Sequence, residues 1–145
     1  MKIIKCLLSA ALLISLTLAL GSKPADAEPA LLETYWRLTE LSGQKVSSSA
    51  PQGREAHLIL KKDGAASGSG GLNRFTGQYT LDKNDGLAFL PAAATLMAGV
   101  PAAMETERKF FQSMAQTKKY KIRQNKLYLM NASGSVLAIL EAVYL

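Results

Sequence analysis

The sequence predicts one α+β domain: an antiparallel, strongly curved sheet or partial β-barrel of about eight strands, with one main helix packed against it. Three observations lead there. Short apolar runs alternate with polar residues and are separated by turn signals such as Asp63-Gly64, Asn84-Asp85-Gly86 and Gln124-Asn125. Helical spacing is convincing only after Pro101. The strands follow one another at hairpin distances, which favours antiparallel neighbours over βαβ crossovers.

The N-terminus has a different character. Lys2 and Lys5 precede an apolar run of 14 residues, Leu7 to Leu20, and Ala25-Asp26-Ala27 follows. A positive start, an apolar middle and small residues at the −3 and −1 positions form the secretory-signal pattern. The run is short of the roughly 20 residues that span a bilayer. Residues 1–27 are therefore expected to be removed after Ala27, leaving 28–145 as a single domain in the periplasm or outside the cell. Cys6 precedes the apolar run, so it cannot be an acylated cysteine at a cleavage site. The remaining 118 residues contain no cysteine and are enough for one apolar core. Removing Lys2, Lys5, Lys23 and Asp26 with the signal lowers the net charge from +6 to +4.

The elements follow in order. Residues 28–32 read as a short leader, and Glu33 to Leu41 as a first strand anchored by Trp36, the sole tryptophan. Gly43 to Arg54 is polar and aperiodic, hence a loop. His57 to Lys62 alternates and turns at Asp63-Gly64 into the small-residue run Ala66-Ser67-Gly68, which implies a close backbone approach or a bulge. Phe75 to Leu81 and Leu87 to Leu90 form the next hairpin, with Phe75, Tyr79 and Leu81 set against Thr76 and Gln78. Ala92 to Val100, apolar and bracketed by Pro91 and Pro101, reads as a buried crossover.

Proline suits the first helical turn, where an N–H would have no partner. Glu105 and Glu107 lie early, as the helix dipole favours. Met104, Glu107, Phe111 and Met114, with Phe110, follow helical spacing and predict one inward stripe. Tyr120 and Ile122 alternate with Lys119, Lys121 and Arg123, and Leu127 to Met130 follows. After the turn Asn131 to Gly134, the nearly continuous apolar run Val136 to Tyr144 predicts a central strand covered on both faces.

No catalytic constellation assembles. His57 is the only histidine and no nucleophile-elbow pattern is present. No clustered ligands suggest a metal, and no cofactor is implied. The glycine run Gly64 to Gly71 lacks the Lys-Ser/Thr ending of a phosphate loop and does not open a helix. Asn131-Ala132-Ser133 matches a glycosylation sequon, a pattern short enough to arise by chance. Basic residues crowd 108–126 (Arg108, Lys109, Lys118, Lys119, Lys121, Arg123 and Lys126). Such a stretch is either a solvated face or a contact for an acidic membrane or partner, and export sets nucleic acid aside.

The segment Gly70-Gly71-Leu72-Asn73-Arg74-Phe75-Thr76-Gly77-Gln78-Tyr79 resembles the G-C-N-x-F-x-G-x-Y segment of the META domain family, which includes heat-shock-associated HslJ-like proteins. Thr95-Leu96-Met97-Ala98-Gly99 is similar to its T-x-M-A-C segment, and Met104 to Phe110 to its M-x-x-E-x-x-F helix opening. Trp36, Leu38 and Leu127-Tyr128-Leu129 fit strands of the same family. Leu72 and Gly99 stand at both family cysteine positions, so any redox role of those thiols does not carry over. The resemblance implies an exported envelope protein linked to stress tolerance, without established enzymatic activity, and a fold resembling lipid-binding secretion pilotins. It implies structural roles for Trp36, Phe75, Gly77, Tyr79, Thr95, Glu107 and Phe111. Asn73 and Gly77 suit special backbone geometry, Phe75 and Met97 the core, and Arg74 an ion pair with Glu107.

The reading that results is a monomeric, non-enzymatic envelope accessory protein that acts by binding. A rival is a groove binder of lipid amphiphile or secretion-system subunit, lined around Ala92 to Met104. Its candidate binding residues are Asn73, Arg74, Met97 and Met104, with Lys119, Lys121 and Arg123 facing an acidic partner. A third is an inhibitor of a secreted hydrolase that inserts the loop Gly43 to Arg54.

Overall fold

The computed structural model describes residues 27–47 and 54–144. The expected signal, apart from its last residue, and half of the loop Gly43 to Arg54 (48–53) lie outside the described residues. Strands β1 (Tyr35–Leu41) and β2 (Gln44–Lys45) are followed by β3 (His57–Leu60), β4 (Ala65–Ser69), β5 (Arg74–Leu81), β6 (Leu87–Phe89) and β7 (Ala93–Ala94). Helix α1 (Pro101–Gln116) then leads to β8 (Lys119–Arg123), β9 (Lys126–Met130) and β10 (Val136–Val143). The antiparallel order β6-β5-β4-β3-β1-β10-β9-β8 accounts for eight strands, and the two-residue β2 and β7 attach to β1 and β5.

The sheet curls until its ends nearly meet. Gly86 forms a bridge with Lys119, the Leu87 N–H donates to the Lys118 carbonyl at 3.1 Å, and the Tyr120 N–H donates to the Asp85 carbonyl at 3.0 Å. Register shifts in β1 between Leu38 and Glu40, and in β10 between Val136 and Ala138, lie in paired central strands. Such irregularities increase local twist and bend, which a closing sheet needs. The turn from β8 to β9 has positive φ at both Gln124 (52°) and Asn125 (61°), the hand that matches strand twist in a two-residue hairpin.

Alternation then builds the core. Trp36 and Leu38 of β1, Leu58 and Leu60 of β3, Leu127 and Leu129 of β9 and Leu140 of β10 point to one side, where α1 adds Phe110 and Met114. The Trp36 Nε1–H donates to the Leu31 carbonyl at 2.9 Å, so the buried indole keeps its polar atom satisfied. The expected short leader is docked a second time, by Glu28, which accepts the N–H of Gln124 in the β8–β9 turn at 2.9 Å. Gly68 marks a close approach and not a bulge, because β3, β4 and β5 pair there without a register shift. A side chain at Gly68 would collide with the His57 carbonyl.

Two expectations change. β10 is central but covered on one face only: Ala138 and Leu140 are buried, while Ile139, Glu141 and Val143 are half-exposed. The physical reason is that a curled sheet encloses one core, and among the described residues no second layer covers its convex side. The segment Ala92 to Val100 is not buried either; it runs outside as a strap with β7 paired to β5, and its side chains are exposed apart from the half-exposed Gly99.

Candidate functional site

The strap is fixed by a buried polar clamp. Glu107 points inward from α1, and its Oε2 accepts the N–H of Leu72 at 3.0 Å and of Asn73 at 2.6 Å. Its Oε1 accepts the Asn73 Nδ2–H at 2.6 Å. The Asn73 Oδ1 in turn accepts the Thr95 hydroxyl at 2.8 Å and the Met97 N–H at 2.6 Å, while Nδ2 also donates to the Met97 carbonyl at 3.1 Å. One asparagine thus ties helix, β5 and strap together, its amide donating to both Glu107 and the strap while its carbonyl accepts from the strap. A Cβ at Gly70 would lie 2.5 Å from the Glu107 Cγ, so a glycine is required where the loop passes the carboxylate.

Arg74 does not pair with Glu107, contrary to expectation. Phe75 is buried, so strand alternation turns Arg74 outward, and both oxygens of Glu107 are occupied by Leu72 and Asn73. Neither Asn73 nor Gly77 has a positive φ. Asn73 is placed by its hydrogen bonds, and Gly77 by the strap, since a Cβ there would stand 2.9 Å from the Ala92 Cβ. Leu72 and Gly99 face each other: a Cβ at Gly99 would lie 2.6 Å from the Leu72 Cδ2. The leucine side chain fills the space over the glycine.

Beside this clamp the barrel wall opens. β5 pairs with β6 through Tyr79 to Leu81 and with β7 through Phe75 and Thr76, and the chain leaves its edge between them. The gap is an apolar cleft of about 440 Å³, walled by Phe75, Phe89, Leu90, Pro91, Phe111 and Met114, with Ala94 and Ala115 among its lining. Phe111 meets Phe75 edge-on with ring centroids 5.5 Å apart, which holds one wall in place. A second hollow of about 280 Å³ lies under the first half of α1, with Arg54, Lys45 and Glu105 among its lining.

The expected lining is corrected accordingly. Met97 is 62% exposed and is not a core residue, Met104 is 47% exposed, and neither reaches the cleft. Met97 instead contributes its backbone to Asn73. Lys119, Lys121 and Arg123 project from β8 to solvent, whereas Tyr120 and Ile122 turn inward. Neither Glu105 nor Glu107 falls in the first helical turn. A hydrogen bond from Arg108 holds the Glu105 carboxyl below the usual carboxylate range, with Lys109 adding to it and partial burial opposing. The Tyr79 hydroxyl donates to the Lys61 carbonyl at 2.6 Å, and burial, then Asp63 and Glu33, push its ionisation upward. Among the described residues no group of three His, Cys, Asp or Glu side chains is placed to hold a metal ion. No described helix is long and apolar enough to cross a membrane.

Sequence reasoning missed Phe89, Leu90, Pro91 and Ala115. The available signal was Pro91, which follows the three-residue β6 and carries the chain off β5 just after the Leu90 N–H has donated to the Gln78 carbonyl at 2.9 Å.

The sequence model of the META domain matches residues 29–144, which include the clamp, the strap and the cleft. The chain belongs to the META domain family. Solved structures share this META fold at low identity. A protein from Burkholderia xenovorans, solved by NMR, superposes with a TM-score of 0.62 at 22% identity, covering 79% of this chain and 85% of that one. A second NMR structure gives 0.58 at 22% identity, covering 74% and 88%. A crystal structure of a DUF4847 family protein from Bacteroides vulgatus gives 0.53 at 13% identity, covering 77% and 93%. No curated protein matches the chain.

Proposed function

We propose that this META domain is an exported, monomeric and non-catalytic protein of the cell envelope, and that its cleft binds the acyl chain of an anionic amphiphile. The observation that carries the reading is the cleft itself. Its volume of about 440 Å³ falls within the range of small-molecule sites, and its walls are aromatic and aliphatic. Among the described residues that line it, Gln78 carries the only polar side chain. Charge supports an anionic head. The chain carries a formal net charge of +6, and the exposed Lys119 of β8 lies at the seam where the main chain of β6, the strand that carries Phe89, meets β8. In this reading any contribution to stress tolerance comes through the bound amphiphile.

Native mass spectrometry of residues 28–145 with lauric acid, compared with dodecyltrimethylammonium, tests it. Lauric acid is expected to bind better, and Ala115→Trp, which places an indole at the mouth, is expected to abolish uptake. Equal binding of the two probes, or none, would overturn the assignment and return attention to surface contacts.

A further inference from the structure

The strap presents an apolar tip that the cleft does not use. Leu96 is 99% exposed, Met97 62%, Val100 38% and Met104 47%, and these four lie within nine consecutive residues. Single exposed leucines are ordinary, but a contiguous apolar patch on a monomer marks a contact surface. Looseness does not explain this one. The backbone of Thr95 and Met97 is held by Arg74 and by the buried Asn73–Glu107 clamp, so the tip is ordered with its side chains turned outward.

The charges around the tip decide what it fits. Arg74 sits opposite Thr95 and is exposed. Arg108 lies one helical turn beyond Met104 on the same face, and Lys109 follows it; Glu105 pairs with both, at 2.8 Å and 3.6 Å, and among the described residues no other carboxylate pairs with these three cations. Two copies meeting through this patch would bring those cations together, which disfavours self-association. An anionic bilayer would attract the cations and accept the apolar side chains at its interface. We propose that Leu96 and Met97 insert into an anionic membrane surface, with Arg74, Arg108 and Lys109 against the headgroups. Because the loop is already ordered, docking avoids most of the entropy of fixing it.

The test is co-sedimentation of residues 28–145, which contain the whole described core, with phosphatidylcholine vesicles with and without phosphatidylglycerol. Partitioning to anionic vesicles is expected to fall roughly tenfold or more in Leu96→Ser/Met97→Ser, given the apolar area removed. Both side chains are exposed, so the buried Trp36 should fluoresce as in the wild type. In Leu96→Trp the new indole should shift to the blue on adding anionic vesicles. Unchanged partitioning of the double variant, equal binding to neutral vesicles, or an unshifted indole would overturn the proposal. So would a concentration-dependent dimer that the double variant loses. Ala115→Trp should leave vesicle binding intact, so failure here and failure of the cleft reading are separable.

Discussion

At the scale of single residues, Asn73 and Glu107 act as one unit although 34 positions separate them. Glu107 accepts three hydrogen bonds while buried, so its replacement leaves donors facing a donor. Glu107→Gln is expected to destabilise the domain by about 1–3 kcal/mol, read as a lower urea midpoint at unchanged m. Gly99 offers a complementary test. Gly99→Ala drives a methyl group against Leu72 and should cost about 1–3 kcal/mol by overpacking. Adding Leu72→Ala should recover part of that loss, and a double-mutant cycle would measure the coupling. Independent, additive effects would mean that the two residues do not share this space.

At the scale of elements, α1 shows what periodicity can and cannot say. The spacing predicts a helix from Pro101, and the helix is Pro101–Gln116. The predicted stripe included Met104, yet the buried positions are Glu107, Phe110, Ser113 and Met114. The first turns of the helix are largely exposed, and only from Glu107 onward does it meet the barrel. Phe110→Ala should therefore cost about 3–5 kcal/mol. Met104→Ala should stay within about 0.5 kcal/mol of the wild type, as exposed substitutions do. Thermal or urea unfolding of the two variants side by side checks the rotation of the helix.

At the scale of the molecule, the curled sheet places tyrosines from three strands in poorly solvated surroundings. Burial pushes Tyr35 up to about 12, helped by its hydrogen bond to Glu55 and the charge of that carboxylate, with Arg37 opposing. Burial also raises Tyr79 and Tyr120, the latter helped by Asp85. In the unfolded chain a tyrosine loses its proton near its ordinary value of about 10, before the native form does. Above that pH the unfolded state gains from ionisation and the native state does not. The stabilisation from Tyr35 is thus complete below about pH 10 and disappears as the pH rises through about 12. Tyr35→Phe should flatten the fall in urea midpoint across this window. An equally steep fall in the variant would assign the alkaline loss elsewhere.

What the sequence determined by itself was local. Alternation placed β1, β3, β5 and the β8–β9 hairpin, turn residues placed their ends, and the segments around Asn73, Thr95 and Glu107 carried the family likeness. These signals survive because each depends on neighbours within a few positions. The tertiary structure decided what depends on strand order and helix rotation. It turned Arg74 away from Glu107 and put Asn73 there. It left β10 covered on one side and set the strap outside the barrel. It also opened a cleft between residues as distant as Phe75 and Ala115. Apolarity alone could not separate a buried strap from an exposed one. The difference lies in whether the sheet closes over the segment or beneath it, and that is settled only when β6 and β8 meet.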